Sequence, residues 1–253
     1  MGQISLEHKR LIYDDRGTGL SIVLIHPPGM GRKVFLSQES LSKDFRLLIP
    51  DLSGHGDSAT QKNEITIQGY ADEIKSILDK ENIQRAIICG YSAGGTVAQQ
   101  FALSYPEHTK AVILSGGFPR VNTRMLKLHF QLGIKMLQMS HKYLAQVLAK
   151  SHTSDRQIQN KLYLHMLKTK PSIWRDFYQK SLMYDCYDLL HLIKVPLLTI
   201  YGTRSPWILK HDYLNERCPY LYKTILKGVS HQIPSRQWYT FNQLIRRFVK
   251  EYV

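Results

Sequence analysis

Residues 88–102, "ICGYSAGGTVAQQFA", decide the fold. A β-branched run enters Gly90-Tyr91-Ser92-Ala93-Gly94-Gly95 and leaves at once as small, helix-compatible residues. That pattern predicts a strand, a very tight turn and a helix. A serine at such a turn is held in strained backbone geometry with its hydroxyl above the sheet. Gly90, Gly94 and Gly95 supply the small flanks that let helix and strand approach closely. The alternative is a glycine-rich turn whose serine does no more than cap the helix.

Working outward, short aliphatic runs recur at "SIVLIHP" (21–27), "FRLLIPD" (45–51), "RAIICGY" (85–91), "KAVILSGG" (110–117), "VPLLTIYG" (195–202) and "YKTILKG" (222–228). Each is nearly continuous in hydrophobicity, as a strand covered on both faces must be. Helical patterns separate several of them, among them "TIQGYADEIKSILDKENI" (66–83) with Thr66 as N-cap. The alternation predicts an α/β fold, a mostly parallel sheet with helices on both faces. The first residues, "QISLEHKRLIYDDRGTG", read as an antiparallel hairpin at one edge. The strand spacing breaks once, from about Phe118 to Leu192, where the pattern is helical and rich in Met and Lys. The expected organisation is a core of residues 1–117 and 193–253 with an inserted helical cap, 118–192.

At 253 residues, 43% hydrophobic and 21% charged, the chain has room for one large α/β domain and has globular composition. There is no apolar run of about 18 residues, and "MGQISLEHKR" carries no apolar targeting segment, so a soluble, cytoplasmic protein is expected. Cys89, Cys186 and Cys218 are odd in number and contain no Cys-x-x-Cys pair, which argues against a disulfide framework or a zinc–cysteine site. The eleven histidines show no His-Glu-x-x-His spacing, so neither metal nor cofactor is expected.

Four stretches follow the predicted strands in order: "HPPGMG" (26–31), "DLSGHGDS" (51–58), "GYSAGG" (90–95) and "GVSHQIP" (228–234). Together they resemble the α/β-hydrolase fold family over nearly the whole chain apart from the helical insertion. The resemblance implies that Ser92 is a nucleophile, needing a base within hydrogen-bond reach. It implies that His231 accepts the serine proton and returns it to the leaving group. The backbone N–H of Ala93 would then be one oxyanion donor, with Tyr91 flanking the site. Asp51, His55 and Asp57 of the second stretch are implied to be architectural.

The sequence departs from the family in two places. Many relatives read His-Gly-x after the first long strand, whereas this chain reads His26-Pro27-Pro28, and proline has no N–H. With Pro28 there, Gly29 or Met30 must supply the second oxyanion donor, or the hole is weakened. The second departure lies in "YGTRSPW" (201–207), where relatives carry an aspartate that orients the histidine and this chain has Ser205. Loss of such a carboxylate typically costs about 10⁴-fold in turnover. Three expectations follow. A carboxylate arrives from elsewhere, from Asp212, Asp185 or Asp188; or Ser205 orients His231 through its hydroxyl or a water in a slower Ser–His dyad; or the pocket binds a ligand without turning it over.

The net charge of +14 is unevenly spread, with twelve Lys or Arg against Asp155 and Asp176 alone between Arg120 and Lys180. A solvated basic face, attraction of an anionic substrate or acidic partner, and an anionic membrane surface meeting residues 124–150 are all open. Nucleic acid is not expected, since no recognised module accompanies the charge. Apolar residues of the insertion such as Met125, Phe130, Met136 and Tyr143 mostly pack it onto the core, and a few line the pocket. The expected function is a serine hydrolase that cleaves a small or medium carboxylic ester, or a thioester, through an acyl-enzyme on Ser92. The alternatives are a cofactor-free C–C hydrolase or lyase acting on an acidic substrate, and a hydrolase-like ligand-sensing regulatory protein with an incomplete triad.

Overall fold

The computed structural model describes residues 1–6, 9–61 and 64–253. The chain opens with β1 (Gly2–Leu6) and β2 (Lys9–Arg16), followed by β3 (Ser21–Ile25), β4 (Arg46–Pro50) and the short β5 (Ala59–Thr60). It continues through α1 (Ile67–Lys80), β6 (Ala86–Tyr91), α2 (Gly94–Ser104) and β7 (Thr109–Ser115). Four helices come next: α3 (Arg124–Met139), α4 (His141–His152), α5 (Arg156–Met166) and α6 (Pro171–Met183). The last part holds β8 (Leu197–Gly202), α7 (Pro206–Leu209), β9 (Leu221–Leu226), α8 (Ile233–Arg236) and α9 (Trp238–Tyr252). The sheet runs β1-β2-β4-β3-β6-β7-β8-β9, with β5 on β2. Every pairing from β4 to β9 is parallel, and β1 and β2 are antiparallel at the edge. The turn of that expected hairpin, at residues 7 and 8, lies outside the described residues.

Successive side chains of a strand point to opposite faces, and the aliphatic runs sort accordingly. Val23, Ile25, Ile88, Val112 and Leu114 meet Ile74 and Ile77 of α1 and Val97 and Phe101 of α2. Their neighbours Ile22, Leu24, Ile87, Cys89, Ala111 and Ile113 meet Phe241, Ile245 and Phe248 of α9 on the other face, with Val34 and Phe35 from the 3₁₀ segment Arg32–Lys43. Both faces are covered, which is why these strands carry no polar alternation. Helix α1 starts where the sequence places it, with the Thr66 hydroxyl accepting the Gly69 N–H at 2.8 Å.

From β3 the chain goes to β4 on one side and then crosses to β6 on the other. A crevice forms at the carboxyl ends of strands where the order reverses in this way. Here it lies between the loop after β3 and the turn after β6.

The helices between β7 and β8 begin at recognisable signals. Thr123, Ser140 and Asp155 cap α3, α4 and α5 by accepting backbone N–H groups, and Pro171 opens α6. Arg120 and Asp185 pair across the base of the insertion. Over the sheet, Lys170 N–H donates to Gly54 O at 3.0 Å and the Thr169 hydroxyl to Gly29 O at 3.1 Å. Gly29 itself, at φ 79°, lies so close under Trp174 that an added Cβ would stand 1.9 Å from Cε2 of the indole. Only glycine permits that approach.

Candidate active site

Ser92 has φ 53°, a left-handed conformation that a non-glycine residue adopts only when its surroundings impose it. Its N–H donates to Ser115 O at 2.8 Å. A Cβ on Gly90 would come within 2.5 Å of the Gly95 Cα, and one on Gly94 within 2.4 Å of the Ile25 carbonyl oxygen. The three glycines therefore let α2 start directly against β3 and β6.

The loop after β9 brings His231 Nε2 to 2.9 Å from Ser92 Oγ. The imidazole is enclosed by Tyr91 at 5.3 Å and Trp207 at 4.7 Å between ring centroids. Its Cε1–Nδ1 edge rests against Gly116, where a Cβ would meet those atoms at 2.5 and 2.6 Å. Burial lowers the His231 pKa to about 3, and His152 and His129 nearby push in the same direction. A neutral ring accepting the serine proton at Nε2 carries its own proton at Nδ1. That nitrogen is buried and has no hydrogen-bond partner.

The expectation of a relocated acid is therefore corrected. Asp212 accepts a hydrogen bond from the Thr199 hydroxyl at 3.1 Å and pairs with Lys223 at 3.2 Å. Asp185 pairs with Arg120 and Asp188 with Arg217. Each carboxylate is held by a nearer cation, and none reaches Nδ1. Ser205 does touch His231, but through the backbone: its Oγ accepts the His231 N–H at 2.9 Å. The serine thus holds the loop, and packing by Tyr91, Trp207 and Gly116 orients the ring.

The N–H of Ala93 lies at the open start of α2, where no intrahelical acceptor exists. Pro27, Pro28 and Met30 form part of the cavity wall. Pro28 has no N–H, and the Met30 amide closes a turn onto Pro27 O at 3.3 Å, so Met30 is not free as a second donor. Among the described residues the Gly29 N–H has no protein acceptor, which leaves it as the remaining one of the two expected donors. His26 fixes the same loop, its Nδ1–H donating to Pro27 O at 2.9 Å while Nε2 accepts the Leu52 N–H at 3.0 Å.

A cavity of about 300 Å³ opens above Ser92 and His231. Its walls are mainly apolar, with Leu126, Phe130 and Met136 from α3 and Leu144, Val147 and Leu148 from α4. A buried hydrogen-bonded pair lies among them, alongside the polar His129 and Gln232. The Tyr91 hydroxyl donates to His152 Nε2 at 3.0 Å, and His152 Nδ1–H donates to Leu148 O at 2.8 Å. Sequence reasoning missed His152, Trp207 and Gly116. Trp207 lay two residues beyond Ser205 in a stretch already singled out, and Gly116 lay in the last two residues of a predicted strand, whereas His152 belongs to no motif.

Asp51, His55 and Asp57 do not line this cavity. Asp51 is fully buried and accepts from the Arg32 guanidinium, from the Arg32 N–H at 2.7 Å and from His165 Nε2–H of α5 at 2.9 Å. Burial opposes its charge, but these donors hold its carboxyl below the usual range. Asp51, Asp57 and His165 could geometrically hold a metal ion. Arg32 already lies between Asp51, Asp57 and Asp14, with Lys168 on Asp57 at 2.7 Å. The carboxylates are matched by protein cations.

A sequence profile described as the alpha/beta hydrolase fold matches residues 21–194. The chain belongs to the α/β-hydrolase fold family. Over 92% of this chain and 96% of the relative it is 26% identical to a pimeloyl-[acyl-carrier protein] methyl ester esterase of Aeromonas salmonicida. An uncharacterised protein of Mycobacterium tuberculosis is 34% identical, but that match covers 39% of this chain and only 29% of the relative. Among solved structures, an esterase from Thermogutta terrifontis superimposes with TM-score 0.84 at 20% identity, covering 99% of both chains. An enol-lactonase from Burkholderia xenovorans LB400 gives 0.86 at 21%, covering 99% of this chain and all of the other. At these identities the likeness is one of fold. Among the described residues no helix is long and apolar enough to cross a membrane.

Proposed function

We propose that this α/β hydrolase cleaves a small or medium carboxylic ester, or thioester, by transient acylation of Ser92. The observation that carries the reading is the 2.9 Å approach of His231 Nε2 to Ser92 Oγ on a strained elbow beneath an apolar cavity. In this reading residues 118–192 act as the cap that roofs the cavity. Ser92 Oγ attacks the ester carbonyl as its proton passes to His231 Nε2, and the oxyanion accepts from the Ala93 N–H. The imidazolium returns the proton to the departing alkoxide, and water repeats the sequence on the acyl-enzyme. A cavity of about 300 Å³ lies at the small end of ligand sites. No Lys or Arg lines it, so an acidic substrate would lack a counter-ion there, which weighs against the C–C hydrolase alternative.

Without a carboxylate at Nδ1 the imidazolium gains no charge stabilisation, so the dyad should turn over slowly. That same feature favours a second reading, a hydrolase-like protein that binds its ligand without cleaving it. Fluorophosphonate labelling followed by intact mass, on wild type and Ser92→Ala, separates the two. A single adduct lost in the variant is expected from an activated Ser92. Absence of labelling on folded wild type would leave the ligand-binding reading.

A further inference from the structure

Helix α3 is apolar on two sides. Leu126, Phe130 and Leu137 face inward and are buried. Met125, Leu128, Leu132 and Met139 face solvent at 43%, 62%, 57% and 77% exposure. At about 100° per residue these four fall within an arc of about 60°, nearly opposite the buried side. Packing onto the core explains the first side and not the second. Tyr143 at the start of α4 and Val147 one turn on extend the exposed stripe.

The formal charges beside the stripe are all positive. Residues 121–154 contain no Asp or Glu, while Arg124, Lys127, Lys135, Lys142 and Lys150 all lie within them. Among the described residues none of the five is ion-paired. Leu132 and Val147 also belong to the cavity wall, so the exposed stripe is continuous with the cavity above Ser92.

We propose that the outer face of α3 and the start of α4 dock on an anionic lipid surface. Flexible Leu and Met side chains flanked by Lys and Arg suit shallow burial at the boundary between headgroups and acyl chains. Protein hot spots are built instead on packed Trp, Tyr and Arg, and of these types the face carries only the exposed Tyr143 and Arg124 among its Leu and Met side chains. A solvated face would not carry four exposed aliphatic side chains in one arc. The positive border complements anionic headgroups, each near-surface cation accounting for about a fivefold factor in binding. Docking this way places the cavity beside the lipid. It does not depend on ester turnover.

The test is co-sedimentation of the full chain with vesicles of phosphatidylcholine alone and of phosphatidylcholine mixed with phosphatidylglycerol. Wild type and Ser92→Ala are run together, so that docking is read separately from activity. Binding to the mixed vesicles, little to phosphatidylcholine alone, and weakening by salt are expected. Leu128→Asp with Leu132→Asp should reduce it at least tenfold, and Arg124→Ala with Lys135→Ala about 25-fold. All four side chains are exposed, and an unchanged circular dichroism spectrum checks the fold of each variant. Folded wild type that stays in the supernatant at low salt overturns the proposal. So does binding that survives the leucine changes, which would be adsorption by charge alone. A concentration-dependent dimer abolished by Leu128→Asp would assign the face to a second copy of the chain and also overturns it.

Discussion

Ser205 accepts the backbone N–H of His231 at 2.9 Å while the imidazole Nδ1 of the same histidine has no partner. Ser205, where the resemblance implies an acid in relatives, thus secures the loop and leaves the ring without a counter-charge. Three packed neighbours set the ring's orientation, but in the proposed reaction they would do nothing for an imidazolium formed by proton transfer.

Ser205→Asp should therefore increase turnover. A carboxylate beside an imidazole favours its charged form, so the His231 pKa must rise from about 3. Two readouts should move together: kcat for a simple ester increases by roughly 10- to 1000-fold, below the about 10⁴-fold attributed to such a carboxylate, and the acid limb of kcat/KM shifts to higher pH. A higher kcat with an unmoved acid limb would show that the new carboxylate acts on something other than His231.

Gly116→Ala tests the packing that orients the His231 ring. The new Cβ would stand 2.5 Å from Cε1 of His231, at a backbone φ of 62° that alanine resists. The ring must move, and a displacement of about 1 Å costs roughly 100-fold in rate. Loss of at least that factor in kcat, with a cooperative unfolding transition retained, is the expected result. Near-normal kcat would mean that His231 does not need this wall.

The strands were legible because both faces of the sheet are covered, so "SIVLIHP", "RAIICGY" and "KAVILSGG" are unbroken by polar residues. The elbow was legible because only small residues fit between α2, β3 and β6. The fate of Asp212 was not. Its partner Lys223 lies on the neighbouring strand β9 and Thr199 on β8, and the pairing of those strands follows from tertiary register, which no local pattern encodes. His152 was equally hidden, because the angle at which α4 crosses the elbow decides whether its last residue meets Tyr91 or solvent. The architectural role implied for Asp51 agrees with where it lies, although its partner His165 on α5 could not be anticipated.

Asp51→Ala should be a stability variant. It removes a fully buried carboxylate and leaves the Arg32 guanidinium and His165 facing an empty position. Breaking a buried ion pair from one side typically costs about 3–5 kcal/mol. Urea unfolding should show a loss of that size, with KM for a short ester changed far less than the midpoint. An unchanged midpoint would mean that Arg32 is satisfied by Asp14 and Asp57 alone.

Acid stability should be limited by histidines that fold in the neutral form. Burial lowers His26, His152 and His211 to about 4 and His231 to about 3, and places His55 well below its usual range. All would titrate near 6.5 in the unfolded chain. Between these limits the unfolded state binds more protons, so stability is fully present above about pH 6.5 and is lost as the pH falls toward 4. Each such histidine adds about 1.4 kcal/mol per pH unit to the slope within that window. His211 offers the cleanest test, because it is fully buried against Phe118, neither ring nitrogen has a partner, and it does not line the cavity. His211→Leu forfeits no side-chain hydrogen bond, so stability at pH 7 should be held or raised, while the slope from pH 6 to pH 5 falls by about one proton. Urea unfolding of both proteins across this range measures the difference, and parallel curves would mean that His211 takes up its proton in the folded state.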